Sequence, residues 1–323
     1  MGRLVEGKWQ EDYAAVTSGD GRFVRAEASF RDFVTADGSS GFPAEAGRYH
    51  LYVSLACPWA HRTMIFRALL GLDGVISASI VDPLMGPGGW HFSDGPGCIP
   101  DTVNNAQFMH EVYLKADPGC STRVTVPVLW DKVRQTIVNN ESSEIIRMLN
   151  TAFRRFQPDG ATDYCPAELY DDIELVNERV YRDVNNGVYR CGFASTQQAY
   201  DVAFGALFST LDWLESRLGE QRYLCGDRLT EADWRLFTTL VRFDAVYVGH
   251  FKCNLRRISD YPHLYNYLRD LYQIPGVAET CNFQHIKEHY YRSHISINPS
   301  GIVPLGPDLD FDSPHNRGNF PVQ

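Results

Sequence analysis

The sequence lacks the patterns that define several large classes of protein. Its eight cysteines include no Cys-X-X-Cys pair and show no Cys/His spacing typical of a zinc site. No stretch approaches the roughly 20 apolar residues that are needed to cross a bilayer, and no run of basic residues is present. The chain also has no internal repeat and no low-complexity tract. These absences argue against a two-cysteine redox protein, a metal centre, a membrane protein and a repeat architecture.

The composition further limits the kinds of protein that this chain could be. The chain has 323 residues with 30 basic and 40 acidic side chains, and its net charge of −10 argues against nucleic acid as a partner. Its length suits about two domains, and 44% apolar residues are enough to fill their cores. Residues 1–9 contain no hydrophobic stretch of the kind found in secretory signals, so we expect a cytoplasmic location with the cysteines as thiols.

The most informative segment is 49–62, where an apolar run ends in Cys57 and Pro58 opens a predicted helix. Proline is well tolerated at the first helical position, because its missing N–H has no partner within the helix there. Cys57 is therefore expected at the positive end of the helix dipole, an environment that lowers a thiol pKa. An inert buried cysteine is the alternative, but the Cys-Pro order favours a reactive thiol. Ala60 replaces the second cysteine of a redox pair, so an external thiol must resolve whatever Cys57 forms.

The order of predicted elements indicates an α/β thioredoxin-like domain over residues 48–150, followed by an all-α domain over residues 151–295. Residues 1–47 predict an irregular extension that wraps a domain, and residues 296–323 an irregular tail. In the helical part, Thr230 and Asp233 have the spacing of a capping box. The first domain is expected to have strands ending at 53 and spanning 75–81, 125–130 and 136–139, with helices near 58–70, 105–115 and 141–150.

Two further features of the first domain predict a binding site beside Cys57. Val126 precedes Pro127, a proline that is commonly cis in thioredoxin-like domains, and the backbone of Val126 is then able to pair with an extended peptide. Glu141 and Ser142 open a helix whose N–H groups suit a carboxylate, with Glu141 for an ammonium and Ser142 as a hydroxyl donor. Taken singly, Glu141 and Ser142 are more often only a helix cap. Together with Cys57 they fit a ligand with a thiol at one end and an α-amino acid at the other, the form of glutathione.

Two other side chains are weaker candidates on chemistry alone. Trp90 lies in a Gly/Pro-rich loop over residues 83–100, which is longer than most connections and therefore either functional or mobile. A tryptophan there is often a packing residue, and Arg123 before a strand is often a solvated charge. If they face the site, Arg123 pairs with the second carboxylate of glutathione and Trp90 covers the ligand's backbone.

The whole chain resembles the glutathionyl-hydroquinone reductases, the Xi class of glutathione transferases. The Cys-Pro-Trp-Ala order separates this family from the Cys-Pro-Phe and Cys-Pro-Tyr relatives such as the Omega class. The resemblance is carried by VSLACPWAHR (53–62), RVTVPVLWD (123–131), VNNES (138–142), NNGVY (185–189), LTEAD (229–233), RFDAVY (242–247) and INPSG (297–301).

The resemblance implies the glutathione transferase fold, a homodimer and glutathione as co-substrate without a metal. Cys57 would be the nucleophile that forms a mixed disulfide with glutathione and frees the hydroquinone, and a second glutathione would release glutathione disulfide. The glutathione contacts would be Trp90, Arg123, Val126, Glu141 and Ser142. The aromatic-substrate pocket would be lined by Tyr189, Tyr247 and Tyr290, which the residue pattern alone would describe as core tyrosines with their hydroxyls at the surface.

Two other functions stay open at this stage. One is an Omega- or Lambda-like thioltransferase or dehydroascorbate reductase, with the same cysteine chemistry and a less selective pocket. The other is a glutathione- or partner-binding module without catalysis, which an intact nucleophile position argues against. The resemblance implies no role for Cys98 or Cys120.

Overall fold

The computed structural model describes residues 2–11 and 17–320. Parts of the predicted extension, at residues 1 and 12–16, and the last three residues of the predicted tail, 321–323, lie outside the described residues. The chain forms two compact units. The first is built within Met1–Ala14, Ala26–Thr162 and Glu279–Ile302, and the second within Ala15–Arg25, Asp163–Ala278 and Val303–Gln323.

Strands occur in the first unit, and helices occur in both. The strands are β1 (Gly2–Val5), β2 (Lys8–Glu11), β3 (Tyr49–Val53), β4 (Ser77–Ile80), β5 (Thr122–Arg123), β6 (Val128–Asp131) and β7 (Thr136–Asn139). The helices are α1 (Pro58–Leu69), α2 (Met109–Ala116), α3 (Ser142–Thr151), α4 (Tyr170–Val180), α5 (Gly187–Gly192), α6 (Gln197–Glu220), α7 (Glu231–Arg242), α8 (Pro262–Tyr272) and α9 (Phe283–Ser293).

The centre of the first unit is a four-stranded sheet with the order β4-β3-β6-β7. β3 is parallel to β4 and antiparallel to β6, and β6 is antiparallel to β7. All residues of β3 and β6 are buried, as expected for inner strands whose two faces are both covered. The predicted α/β thioredoxin-like order is confirmed, and β3 leads through a short turn directly into α1.

The sequence predicted an irregular extension, but residues 2–11 form regular strands. β1 and β2 form an antiparallel hairpin, and β1 also pairs with β5. The turn residues Glu6 and Gly7 have φ values of 48° and 72°, the left-handed conformation of a tight two-residue hairpin turn. The Trp9 ring lies so close to Gly2 that a Cβ there would be 2.1 Å from it. A four-residue strand of mixed composition has no periodicity long enough to be recognised, and the turn sets the pairing.

The second unit contains the helices α4 to α8, and the predicted all-α region is confirmed for it. Every residue of α7 is buried, and the predicted capping box between Thr230 and Asp233 is present at its N-terminus. Two helices continue into wide π-helical turns, Tyr181–Asn185 after α4 and Phe243–Tyr247 after α7. The predicted boundaries place α9 in the helical domain, whereas this helix packs as part of the first unit. None of the helices described is both long and apolar enough to span a bilayer.

Candidate functional site

Cys57 occupies the N-cap position of α1, as the sequence predicted. Its backbone is extended, with φ −77° and ψ 121°, and Pro58 fills the first helical position. The turn after β3 is held by two hydrogen bonds to Ser54, one from the Cys57 N–H to the Ser54 carbonyl at 3.2 Å and one from the Ala56 N–H to the Ser54 hydroxyl at 3.2 Å. The half-buried thiol therefore lies at a fixed point, at the positive end of the helix dipole.

The structure brings Cys57 together with Val126. The Val126–Pro127 peptide is cis, and the Cys57 thiol donates to the Val126 carbonyl with an Sγ–O distance of 3.5 Å. Val126 itself is buried. The backbone group that was predicted to receive a peptide ligand is thus in direct contact with the predicted nucleophile.

Glu141 and Ser142 begin α3, again as predicted. Glu141 is the N-cap residue, and its Oε1 accepts hydrogen bonds from the Ser143 N–H at 3.0 Å and from the Ser143 hydroxyl at 2.9 Å. The Glu141 N–H donates to Asn139 Oδ1 at 2.7 Å, which fixes the entry to the helix. Because these cap contacts use Oε1, the carboxylate still has Oε2 to offer to a cation.

Arg62 is a residue that the sequence analysis missed. It is buried on α1, and its Nη1 donates to the Ser142 hydroxyl at 3.3 Å. Its guanidinium also stacks over the Trp59 ring, with Cζ 4.6 Å from the ring centroid. This side chain joins the helix that Cys57 caps to the beginning of α3, and it places a buried positive charge there. The i, i+3 spacing of Trp59 and Arg62 was the one local signal for it.

His61, one turn into the same helix, was also missed. Its Nε2 lies 2.8 Å from the Thr280 hydroxyl and 3.8 Å from Cys281 Sγ. Both partners precede α9, far away in the sequence. The contact ties the helix that carries the predicted nucleophile to the returning segment of the first unit.

Trp90 lies in the loop over residues 83–100, which contacts α9, and Tyr290 lies on α9 itself. Trp90 is buried, and its indole stacks on His289 with ring centroids 4.7 Å apart and an interplanar angle of 22°. Tyr290 follows on α9, is buried, and packs against His289 and His294. Arg123 lies in β5, opposite Arg3 of β1.

Tyr189 and Tyr247 meet inside the second unit. Tyr189 is on α5, Tyr247 ends the second π-helical turn, and their ring centroids are 6.2 Å apart. Phe251 stacks on Tyr247 at 5.5 Å with an interplanar angle of 12° and also touches Tyr189. Wide helical turns of this kind are frequent at functional sites.

Arg25 is the missed residue of this cluster. Its guanidinium lies 4.8 Å from the Tyr189 ring centroid, and its Nε donates to Asn186 Oδ1 at 2.6 Å. Phe23 contributes a further ring contact to Tyr189. Residues of the N-terminal extension therefore help to shape the surroundings of Tyr189, and no local pattern in the sequence pointed to them.

Burial disfavours the thiolate form of several of the other cysteines. The eight cysteines all fall in the described ranges and none is in a disulfide, as expected for thiols. Burial raises the pKa of Cys98 and of Cys120, and it raises the pKa of Cys225 to about 12. These thiols are poorer nucleophiles at neutral pH. Within residues 2–11 and 17–320, no group of three or more His, Cys, Asp or Glu side chains is arranged to hold a metal ion.

Comparison with known proteins identifies the family to which this chain belongs. Residues 56–152 match the glutathione S-transferase N-terminal domain, and residues 197–270 match the C-terminal domain. The glutathionyl-hydroquinone reductase YqjG of Escherichia coli is 55% identical, with 98% of each chain covered. The glutathione-bound structure of YqjG has a TM-score of 0.91 at 53% identity, with 98% of this chain and 99% of that chain covered. A Xi-class glutathione transferase from Natrialba magadii has a TM-score of 0.93 at 48% identity, with 99% and 97% covered.

The chain therefore belongs to the glutathione transferase family of enzymes and, within it, to the Xi-class glutathionyl-hydroquinone reductases.

Proposed function

We propose that this enzyme removes glutathione from glutathionyl-hydroquinones and releases the free hydroquinone. The observation that carries the proposal is the position of Cys57, a thiol at a helix N-cap with its Sγ on the Val126 carbonyl. The similarity to a glutathionyl-hydroquinone reductase and to a glutathione-bound structure supports both the reaction and the ligand.

In this proposal, glutathione binds along the N-terminal ends of α1 and α3. The carboxylate of its γ-glutamyl group accepts from N–H groups and the Ser142 hydroxyl at the start of α3, and its ammonium pairs with Glu141 Oε2. Its cysteinyl N–H donates to the Val126 carbonyl and displaces the Cys57 thiol from that acceptor. Arg123 pairs with the terminal glycine carboxylate, and Trp90 covers the tripeptide and excludes water.

The first chemical step is attack of the Cys57 thiolate on the glutathione sulfur of the aryl thioether. The sulfur–carbon bond breaks, a sulfur–sulfur bond to Cys57 forms, and the electron pair leaves with the aromatic carbon. An aromatic carbon is a poor leaving group, because the electron pair that it takes lies in the plane of the ring. The ring hydroxyl offers a keto tautomer in which the sulfur-bearing carbon is protonated. Cleavage of the sulfur–carbon bond in that tautomer leaves an enolate, whose charge rests on the ring oxygen until protonation gives the hydroquinone. The hydroxyls of Tyr189, Tyr247 and Tyr290 are suited to stabilise that oxygen, and one of them is suited to supply the proton.

The second step returns the enzyme to its starting state. The thiolate of a second glutathione attacks the mixed disulfide at the glutathione sulfur, which releases glutathione disulfide and the Cys57 thiolate. External glutathione thereby replaces the resolving cysteine that the Cys-Pro-Trp-Ala segment lacks. Over the two steps the quinol carbon is reduced, and two glutathione sulfurs are oxidised to the disulfide.

The decisive experiment replaces Cys57 by serine. We expect Cys57→Ser to lose turnover of a glutathionyl-hydroquinone by at least about a thousandfold, in line with the loss of a covalent nucleophile in other enzymes. Cys98→Ser is the matched control, because Cys98 is also a partly exposed thiol and has no role in the proposed reaction. Unchanged turnover in Cys57→Ser would refute the mechanism.

The tyrosine roles have a separate test. Changing Tyr189, Tyr247 or Tyr290 to Phe removes only a hydroxyl, so each change is expected to impair turnover of the quinol thioether more than binding of glutathione. Equal kinetics in all three variants and the parent enzyme would show that the pocket assignment is wrong.

The broader thioltransferase or dehydroascorbate reductase activity is the competing hypothesis, and the packing of Tyr189 with Tyr247 favours an aromatic substrate over it. Comparing kcat/KM on a glutathionyl-hydroquinone with that on a simple glutathione mixed disulfide separates the two. The homodimer and the cytoplasmic location stay predictions. Light scattering of the purified protein tests the homodimer.

A further inference from the structure

One face of α9 holds the Trp90 loop, the connection over residues 83–100. His285, His289 and Ser293 follow each other at i, i+4 and i+8, and each makes a hydrogen bond to the backbone of this loop. The bonds run from His285 Nε2 to the Pro96 carbonyl at 2.7 Å, from His289 Nδ1 to the Pro83 carbonyl at 2.9 Å, and from the Met85 N–H to Ser293 Oγ at 2.9 Å.

His289 contacts the loop in two different ways. Because a carbonyl oxygen only accepts, the bond to Pro83 fixes the hydrogen on Nδ1 and with it the plane of the imidazole. The face of that ring lies on the Trp90 indole at a centroid distance of 4.7 Å, and His289 is buried. The orientation of the indole is therefore set by a side chain that α9 and the Pro83 carbonyl hold in place.

The backbone of Trp90 is held separately. Its carbonyl accepts from the Met109 N–H at 2.9 Å, at the start of α2. Immediately before it, Gly89 has a φ of 77°, a conformation that side chains rarely adopt. The main chain thus fixes where the indole begins, while the stack with His289 fixes where its ring points.

We propose that His289 is a positioning residue that holds the Trp90 indole in the orientation that covers glutathione. The inference rests on the proposed function, in which Trp90 covers the tripeptide, and it adds a residue that does not itself touch the ligand. Tyr290 is the next residue on α9, so the same helix turn sets the cover over glutathione and carries one of the proposed quinol tyrosines.

Two substitutions separate the two contacts of His289. His289→Asn keeps an N–H that reaches towards the Pro83 carbonyl but removes the stacked ring, whereas His289→Phe keeps a ring and removes the donor. His285→Asn is the matched control on the same helix face, because His285 bonds Pro96 in the loop and is one turn away from the Trp90 contact.

An aromatic stack of this kind corresponds to an effect of roughly 3- to 10-fold. We expect His289→Asn to raise KM for glutathione by about that factor with kcat changed less than about twofold. His289→Phe is expected to stay nearer to the parent, and His285→Asn within about twofold of it. A change in Trp fluorescence that appears in His289→Asn and vanishes in a Trp90→Phe background would report the same contact.

Direct binding keeps this test independent of the reaction. Glutathione titrated calorimetrically into Cys57→Ser protein should bind more weakly when His289→Asn is added, but not when His289→Asn is added to a Cys57→Ser, Trp90→Ala protein. Equal losses in both backgrounds, or equal effects of His289→Asn and His285→Asn, would overturn the inference. The proposed reaction fails on a different result, retained turnover in Cys57→Ser.

Discussion

The buried His50 should make the first unit less stable at acidic pH, because its surroundings favour the neutral imidazole. It is buried in β3, with Nδ1 2.7 Å from the Ser77 hydroxyl and Nε2 3.0 Å from the Ser79 hydroxyl. The Ser79 hydroxyl donates to the Pro100 carbonyl, so it accepts from Nε2–H, and Nδ1 then accepts from Ser77. The neutral ring satisfies every group, whereas a proton on Nδ1 removes the acceptor that Ser77 uses.

Burial lowers the pKa of His50 from 6.5 to about 4. The charge of Asp101 opposes this shift, and the charges of Lys132 and Arg67, each with a smaller effect than Asp101, act in the same direction as burial. Between these two pH values the unfolded chain binds a proton that the folded chain does not bind. The free energy of unfolding therefore falls by about 1.36 kcal/mol for each pH unit of acidification, or about 3 kcal/mol over the whole interval. The contribution is fully present above pH 6.5.

The assay is urea unfolding of the parent and of His50→Asn at several pH values between about 7 and 4.5. Asparagine does not titrate, so the parent should lose its advantage over the variant as the pH falls. Histidine-labelled NMR of the parent should show one ring that stays neutral to about pH 5. A stability difference between the two proteins that is constant over this range, or a His50 ring that titrates near pH 6.5, would refute the reasoning.

Three further changes test other parts of the fold. In the parent protein, Arg48 Nη2 lies 2.6 Å from the carboxylate of the fully buried Asp131, and Arg48→Ala removes this partner. Chemical denaturation should show that the free energy of unfolding falls by about 3–5 kcal/mol. A fall of less than about 1 kcal/mol would contradict this prediction. Thr230→Ala removes the capping hydroxyl of α7 and should cost about 1–2 kcal/mol by thermal melting, with Thr230→Ser near the parent. Gly192→Ala would place a Cβ 2.1 Å from the Phe251 ring. We therefore expect the free energy of unfolding to fall by about 1–3 kcal/mol and the KM for the quinol thioether to rise. An unchanged stability and an unchanged KM would argue against tight packing between Gly192 and Phe251.

Features that the sequence predicted correctly have local causes. The cap position of Cys57 follows from the order strand, cysteine, proline and helix, and the start of α3 at Ser142 follows from polar residues after a short strand. The capping box of α7 is likewise contained within four residues. Each of these depends on neighbours in the chain, whose effects on backbone conformation are direct.

Features that the sequence did not predict depend on partners that are remote in the chain. The stack of Trp90 on His289 and the placement of Arg25 over Tyr189 each join residues from distant segments. A lone histidine on a helix and a lone arginine in an extension carry no periodicity that would reveal such a contact. The N-terminal hairpin was not predicted for a related reason, because its strand β1 also pairs with Thr122–Arg123, which is far away in the sequence.

The first unit is discontinuous, since it takes up Glu279–Ile302 after the chain has passed through the helices of the second unit. During synthesis, residues 26–162 therefore exist for some time without α9, and in that period the Trp90 indole lacks the His289 ring that it stacks on in the finished protein. A fragment that stops near residue 162 is not equivalent to the first unit. Engineering that exchanges glutathione-binding halves between members of this family should transfer the returning helix together with the sheet.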